Sequence, residues 1–260
     1  MREKIRYRLG ILFALIFIAS NLISQTENVE KKISLGFETG VQFTKIYDSW
    51  AYSNLPKSKT GFNVGFFGDY KFSELVKARV GLYYDNRGFI KQDIITPIAE
   101  VQSDNSVYVS YSSYFAEDLD YTLNYLTIPL SIFYTKGNDK FTFFLQGSIY
   151  YSILLNAKRN GTTNLYIDPD HAPNFENKEK YPSGLTTTNY NDEDVTTIFN
   201  GNDWGIQIFF GAMYHINQNF SVQLSPGFTM AFENLYADPT RSSKWNSIYK
   251  INAGIIYNLK

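Results

Sequence analysis

Eight stretches of the chain alternate apolar and polar side chains with a period of two, and the links between them alternate strictly between long and short. The stretches cover residues 33–43, 61–72, 76–86, 121–134, 141–153, 204–216, 220–232 and 248–259. In the first, Ile33, Leu35, Phe37, Val41 and Phe43 share one parity, while Ser34, Gly36, Glu38, Gly40 and Gln42 share the other. A period of two sets these groups on opposite faces of a β-strand. The links hold 17, 3, 34, 6, 50, 3 and 15 residues. An antiparallel meander with its tight turns at one end and its long loops at the other produces this order. Gly137-Asn138-Asp139 and Asn217-Gln218-Asn219 supply turn chemistry on the short side.

Alternation alone does not say which face is buried. A soluble barrel of lipocalin type would turn the greasy face inward, and a membrane barrel would turn it outward. The aromatic residues, 17% of the chain, discriminate between the two. On the greasy face near the short turns sit Tyr70, Phe72, Tyr134, Phe141, Tyr214, Phe220 and Tyr257, and near the long loops sit Phe62, Tyr84, Tyr151, Trp204, Phe232 and Tyr249. Between these two rings the same face carries aliphatic residues: Val64, Val80, Leu130, Ile208, Leu224 and Ile251. A bilayer with two polar interfaces selects that sorting, and a closed soluble core has no reason to. The expected fold is all-β, an eight-stranded antiparallel up-and-down transmembrane β-barrel with short periplasmic turns and long extracellular loops. Closure follows because lipid offers no partner to an open strand edge. The expected location is the outer membrane, with its lipid as a partner.

The first residues fit that address. Arg2, Lys4, Arg6 and Arg8 precede an apolar run from Leu9 to Ala19, the basic and hydrophobic regions of a secretory signal peptide. The run is too short for a helical span, which needs about 20 apolar residues. Small residues at Ser20 and Ser24 both suit cleavage. Taking Ser24 as the last residue removed gives a signal peptide over 1–24 and one barrel domain over 25–260. A formal charge of −1 gives no ground for a nucleic-acid partner, and the absence of cysteine excludes disulfides, thiolate metal sites and cysteine nucleophiles.

The opposite parity carries charge. Glu38, Asp69, Lys71, Lys77, Arg79, Asp85, Arg87 and Lys250 all point inward on this reading, three acids against five bases. The interior of an eight-stranded barrel is just wide enough for side chains to fill. Buried charges persist only when paired, so an interlocked ionic plug is expected, with a base-lined ion channel as the functional alternative. Catalytic options are few. His215 lies at the turn end with lumenal parity. His171, in Asp168-Pro169-Asp170-His171, sits on the 50-residue link, where a solvated turn competes with a cation site. Asn191-Asp192-Glu193-Asp194 is oxygen-rich but lacks the glycine turn and spaced ligands of a calcium loop. No catalytic, cofactor or metal residue is assigned.

The long links are the remaining candidates for function. The link over 87–120 carries six acids against two bases, and Val107-Tyr108-Val109-Ser110-Tyr111 alternates within it, so the flanking strands are expected to continue past the membrane as a hairpin. The link over 154–203 is rich in Asn, Thr, Asp and Tyr and reads as a polar contact surface rather than a core.

The run Tyr125-Leu126-Thr127-Ile128-Pro129-Leu130 resembles the Tyr-Leu-acidic-Ile-Pro-Leu strand of the PorT-like outer-membrane barrel family of Bacteroidota. Tyr83-Tyr84-Asp85-Asn86-Arg87-Gly88 resembles that family's aromatic strand closing in a basic-Gly pair. The likeness spans about residues 30 to 260. Thr127 stands where the family carries an acidic side chain. Lys260 ends the chain where many outer-membrane proteins have an aromatic, which leaves Tyr257 and Leu259 as the expected assembly signal. The resemblance implies an outer-membrane location and, for some members, a part in type IX secretion. The expected function is that of a noncatalytic structural or protein-interacting barrel whose loops meet an envelope partner. The alternatives are an accessory of a secretion or transport complex, a lipid-modifying barrel enzyme, and a soluble ligand binder.

Overall fold

The computed structural model describes residues 33–48, 56–170, 174, 176, 182–238 and 244–259. The expected signal segment and His171 lie outside the described residues. Among the described residues eleven strands form: β1 (Ile33–Asp48), β2 (Lys57–Lys71), β3 (Val76–Ile95), β4 (Ile98–Val101), β5 (Val107–Ser110), β6 (Tyr114–Gly137), β7 (Phe141–Ile167), β8 (Gly184–Asp194), β9 (Asn202–His215), β10 (Phe220–Ala231) and β11 (Lys244–Asn258). Eight of them close a ring in the order β1-β2-β3-β6-β7-β9-β10-β11, with β1 pairing β11 along fifteen positions from Ser34↔Asn258 to Asp48↔Lys244. Every pairing is antiparallel, so all eight expected strands are present and the barrel has no open edge.

The apolar parity faces out. Phe66, Val80, Leu130, Ile208, Leu224 and Ile251 are all exposed around the wall. The polar parity is buried: Gln42, Asn63, Asp85 and Ser152 are at most 1% exposed. This inverts a soluble protein, and it is stable only where lipid replaces water around the ring. The three short turns share one device, a side-chain oxygen accepting two backbone N–H groups ahead of it. Asn138 Oδ1 accepts from Lys140 and Phe141, Asn217 Oδ1 from Asn219 and Phe220, and Ser73 Oγ from Leu75 and Val76.

At the other end the barrel is lopsided. β3, β6 and β7 run for 20, 24 and 27 residues, far beyond the 9–11 that a tilted membrane strand needs. Their upper parts stay paired, Ile95 with Phe115 and Tyr114 with Tyr166, and β8 adds a fourth strand against β7. The β3–β6 extension was expected, but most of the 34-residue link proves to be strand, and residues 107–110 form a separate small hairpin with β4. The sequence contrast fades because above the membrane no lipid demands a greasy face. There Gln92, Asp118, Thr162 and Asn164 occupy the outward parity. The β7–β8 register slips by one between Arg159 and Gly161, and Gly161, with φ +121°, lets β7 lie close against β6, since a Cβ there would meet Asp118 O at 2.0 Å.

The 50-residue link departs from its expected character. Residues 154–167 finish β7 and 184–194 form β8, and part of the link, at the start of its β7 stretch and after β8, is core. Leu154, Ala157, Val195 and Phe199 are buried with Ile46, Phe89, Leu119, Tyr121, Leu123, Tyr125 and Leu235. Phe89 stacks on Tyr121 at 4.7 Å, Phe199 stacks on Tyr236 at 5.5 Å, and Phe199 meets both Phe89 and Tyr121 edge-on. The link therefore folds back as an apolar plug over the extracellular mouth. Its few large apolar residues are scattered among polar ones in sequence and meet only through the turns between them.

Candidate functional site

Two ionic clusters fill the lumen beneath the plug. The lower one forms because β2 and β3 set Asp69 directly opposite Arg79. Arg79 grips that carboxylate with two bonds, Nε to Oδ1 at 2.6 Å and Nη2 to Oδ2 at 3.0 Å, and Nη2 also donates to Gln223 Oε1 at 3.1 Å. Its guanidinium lies 3.4 Å from the Phe67 ring centroid and 4.7 Å from that of Phe133. Lys77 Nζ reaches Asp69 Oδ2 at 2.9 Å. Glu38 sits 3.6 Å from Arg79 Nη1 and accepts from Gln223 and from Asn252 Nδ2.

The upper cluster centres on Asp85, which is 0% exposed. Asp85 Oδ1 accepts from Lys250 Nζ at 2.9 Å, and Oδ2 accepts from Arg87 Nη2 at 3.0 Å and Thr127 Oγ1 at 2.7 Å. Arg87 Nη1 crosses to Asp203 Oδ2 at 2.6 Å, where Tyr150 also donates at 3.2 Å. Thr127, at the position the sequence resemblance marks as acidic, bonds Asp85 and Ser152.

Seven of the eight predicted lumenal charges lie in these clusters. Lys71 does not: at the periplasmic rim it pairs with Glu74 of the β2–β3 turn at 2.7 Å. Asp203 was missed because it closes a polar link and looks like a loop residue, though it precedes Trp204 of a girdle by one and so has lumenal parity. With that exchange the buried lumen holds, among the described residues, four acids and four bases, not three and five. A base-lined channel has no excess of positive charge to work with, and the aromatic plug closes one end.

His215 is engaged at both ring nitrogens, by Thr142 Oγ1 at 2.9 Å and Ser221 Oγ at 2.7 Å. It borders a periplasmic vestibule of about 450 Å³ together with Asp69, Lys77 and Met213. Asp168 Oδ1 accepts the Asp170 N–H in a turn. Asp192, Glu193 and Asp194 are divided among Asn160, Arg159 and Thr196. Asp194 accepts from both the N–H and the hydroxyl of Thr196, which holds its carboxyl below the usual carboxylate range.

Outside, the thirteen girdle aromatics keep the outward parity. Phe62, Tyr134, Tyr151, Trp204, Phe232, Tyr249, Phe141, Tyr214, Phe220 and Tyr257 are exposed, and Tyr70, Phe72 and Tyr84 are half-buried against neighbours. Cross-strand partners pack together, Trp204 on Phe232 at 5.2 Å and Phe141 on Tyr214 at 5.0 Å. The polar tips find partners at the upper rim, Trp204 Nε1 on Glu233 and Tyr151 OH on Asn202. On the tall side the greasy face ends at a ladder: Asn86 Nδ2 donates to Asn124 Oδ1 and Asn124 Nδ2 to Asn156 Oδ1.

The family model for the outer membrane protein beta-barrel domain matches residues 23–237. The chain belongs to this family. It is an outer-membrane protein, and the exposed greasy face of its barrel contacts lipid. Among solved structures this outer-membrane barrel is similar to Ail, the attachment invasion locus protein of Yersinia pestis, at 12% identity over 89% of this chain and 100% of that one, TM-score 0.39. It is also similar to Neisserial surface protein A at 11% identity over 86% and 97%, TM-score 0.39. A third match is Escherichia coli outer membrane protein W, at 15% identity over 89% and 100%, TM-score 0.39. No curated protein sequence matches.

Proposed function

We propose that this barrel is a noncatalytic outer-membrane protein that holds a raised extracellular sheet as a contact surface for an envelope protein. The observation that carries the reading is the continuation of β3, β6 and β7, joined by β8, well above the Asn86-Asn124-Asn156 ladder. A rigid paired sheet loses little entropy on binding, unlike a free loop. The lumenal clusters and plug act as structural fill that keeps the base of this platform from collapsing. Both ring nitrogens of His215 are taken up by hydroxyls, which favours a structural over a catalytic role. In this reading residues 1–24 are removed as a signal and the aromatic rings hold the barrel at the two membrane interfaces. The PorT-like resemblance adds a second reading, an accessory of a type IX-like secretion complex, favoured by the strand Tyr125-Leu126-Thr127-Ile128-Pro129-Leu130.

The absence of native cysteine makes the test clean. Single cysteines at Tyr111 and Thr187 on the tip, and at Phe66 on the lipid face, would carry a photo-crosslinker in intact cells. The tip positions are expected to give one discrete protein adduct and Phe66 none. Adducts at no tip position would overturn the contact-surface reading. Unimpaired secretion in cells lacking the protein would remove the second reading only.

A further inference from the structure

Above the Asn86-Asn124-Asn156 ladder the raised sheet runs β3-β6-β7-β8, and its two edges differ. β3 leaves β2 at the Lys57↔Ile90 pair, so its free edge is only residues 91–95, which carry Lys91 and Asp93 and lead into Pro97. Short length, charge and proline are guards against further strand pairing. The β8 edge lacks them. It is eleven residues long, and Leu185-Thr186-Thr187-Thr188-Asn189-Tyr190-Asn191 holds no charge and no proline. Leu185, Thr186, Thr187, Thr188 and Asn189 are all exposed. Among the described residues β7 is the only strand that pairs with β8, and no loop backbone bonds to it. Its outer edge therefore presents N–H and C=O groups that an extended chain can pair with.

Two further observations describe that chain. On the outward face Tyr114 pairs with Tyr166 and Tyr166 with Leu185, the two rings stacked at 5.4 Å. Among the described residues the row stops at Leu185, which is 60% exposed, so an added strand would continue it with a large apolar side chain. At the membrane end β8 closes in Asp192-Glu193-Asp194. Arg159 engages Glu193, whereas Asp192 meets Lys158 only at 3.9 Å and Asp194 bonds Thr196. Residues 90–122 and 157–198 together carry thirteen acids against five bases, in a chain whose formal charge is −1. A basic partner complements that field.

The direction follows from the sheet. β8 descends from Gly184, opposite Ile167 at the tip, to Asp194, opposite Lys158 near the membrane. An antiparallel addition, the pairing used throughout this wall and the more stable kind, would rise instead. Basic residues would come first and the apolar one about seven positions later. A second copy in the same membrane does not fit, because a two-fold axis along the membrane normal cannot set β8 antiparallel to itself, and the two acidic ends would repel.

We propose that β8 is the acceptor edge for an extended basic segment of the envelope protein that the raised sheet contacts, an assignment that rests on the contact-surface reading. The segment adds antiparallel, with basic side chains beside Asp192 and Asp194 and an apolar one beside Leu185.

The probe is the decapeptide Lys-Thr-Lys-Thr-Val-Thr-Val-Thr-Leu-Thr, added to the full-length barrel in detergent. Only alternate peptide N–H groups of an added strand face β8, so N-methylating one alternate set should weaken binding at least about tenfold and the other set less than about threefold. Reversing the order of residues, or replacing both Lys by Glu, should also cost at least about tenfold. Leu185→Ser in the barrel should cost about three- to fivefold. The chain has no cysteine, so a peptide with cysteine for its first Val reports position: it should form a disulfide with Asn189→Cys and none with Ile94→Cys on the β3 edge. Equal binding by both methylated peptides means that charge alone holds the probe and overturns the proposal, as does a disulfide at Ile94→Cys in place of Asn189→Cys. No binding, with tip adducts still formed in cells, overturns the edge and leaves the contact surface standing. Addition to β8 with no tip adduct in cells shows a competent edge and removes the envelope partner instead.

Discussion

Arg87 Nη1 and Asp203 Oδ2 lie 2.6 Å apart across the lumen, joining β3 to β9 past the two intervening strands β6 and β7. Both are buried, at 1% and 5% exposed, and Asp203 ends the long link that supplies the plug. The pair therefore ties the extracellular cover to the barrel wall, and each residue is costly to leave alone.

Removing one partner unbalances the buried charge: of its two carboxylates Arg87 keeps only Asp85, which Lys250 already shares, and Asp203 keeps only the Tyr150 hydroxyl. Asp203→Asn and Arg87→Met are each expected to destabilise the refolded barrel by about 3–5 kcal/mol. The double variant Arg87→Met with Asp203→Leu should cost clearly less than the two singles together. Urea unfolding in lipid vesicles, read by the difference in gel mobility between heated and unheated samples, measures all three.

Phe199 contacts Phe89, Tyr121 and Tyr236 within the plug. Phe199→Ala is expected to cost about 3–5 kcal/mol in the same assay. It should not open a pore, because the Asp85 and Asp69 clusters still fill the lumen below. Planar-bilayer recordings should show no stable conductance step for either protein.

Ile208 and Ile94 are both exposed, at 50% and 69%, but the membrane distinguishes them. Ile208→Arg at mid-belt is expected to cost about 2–4 kcal/mol, while Ile94→Arg on the raised sheet should change stability by under about 0.5 kcal/mol. Equal effects would contradict the placement of the lipid boundary at the Asn86-Asn124-Asn156 ladder.

Asp194 holds Thr196, whose hydroxyl in turn accepts the Ala157 N–H beneath the plug. Its carboxyl is depressed, so the stabilisation is present above the ordinary aspartate range and is lost as pH falls through the lower folded value. Amide exchange at Thr196, compared with Asp194→Ala, should show a difference at pH 6 that begins to fade only below about pH 4 and vanishes beneath the folded value.

The wall of this protein was legible in the sequence because lipid imposes one rule on every strand. Each outward position within the membrane must be apolar, so alternation in residues 33–43 or 248–259 carries strand, face and length together. Short turns announced themselves through Asn138 and Asn217. Most of the lumenal charges followed from parity alone. What lay beyond the bilayer did not follow, because that rule lapses there. The upper halves of β3, β6 and β7 carry polar residues on their outward parity, and their strand character rests on pairing between Gln92 and Asp118 or Ala116 and Asn164 rather than on any one-dimensional pattern. The plug is more remote still: Ile46, Phe89, Leu154, Phe199 and Leu235 are far apart in the chain and form a core only when the ring closes. Lys71 and Asp203 share lumenal parity, but height in the barrel decided their fates, one reaching the wet rim and Glu74, the other the dry centre and Arg87. The sequence by itself determined which way each strand faces, since that depends on the solvent beside it. Only the tertiary structure decided how deep each side chain lies and what it meets, since that depends on the register of strands that are neighbours in space and not in sequence.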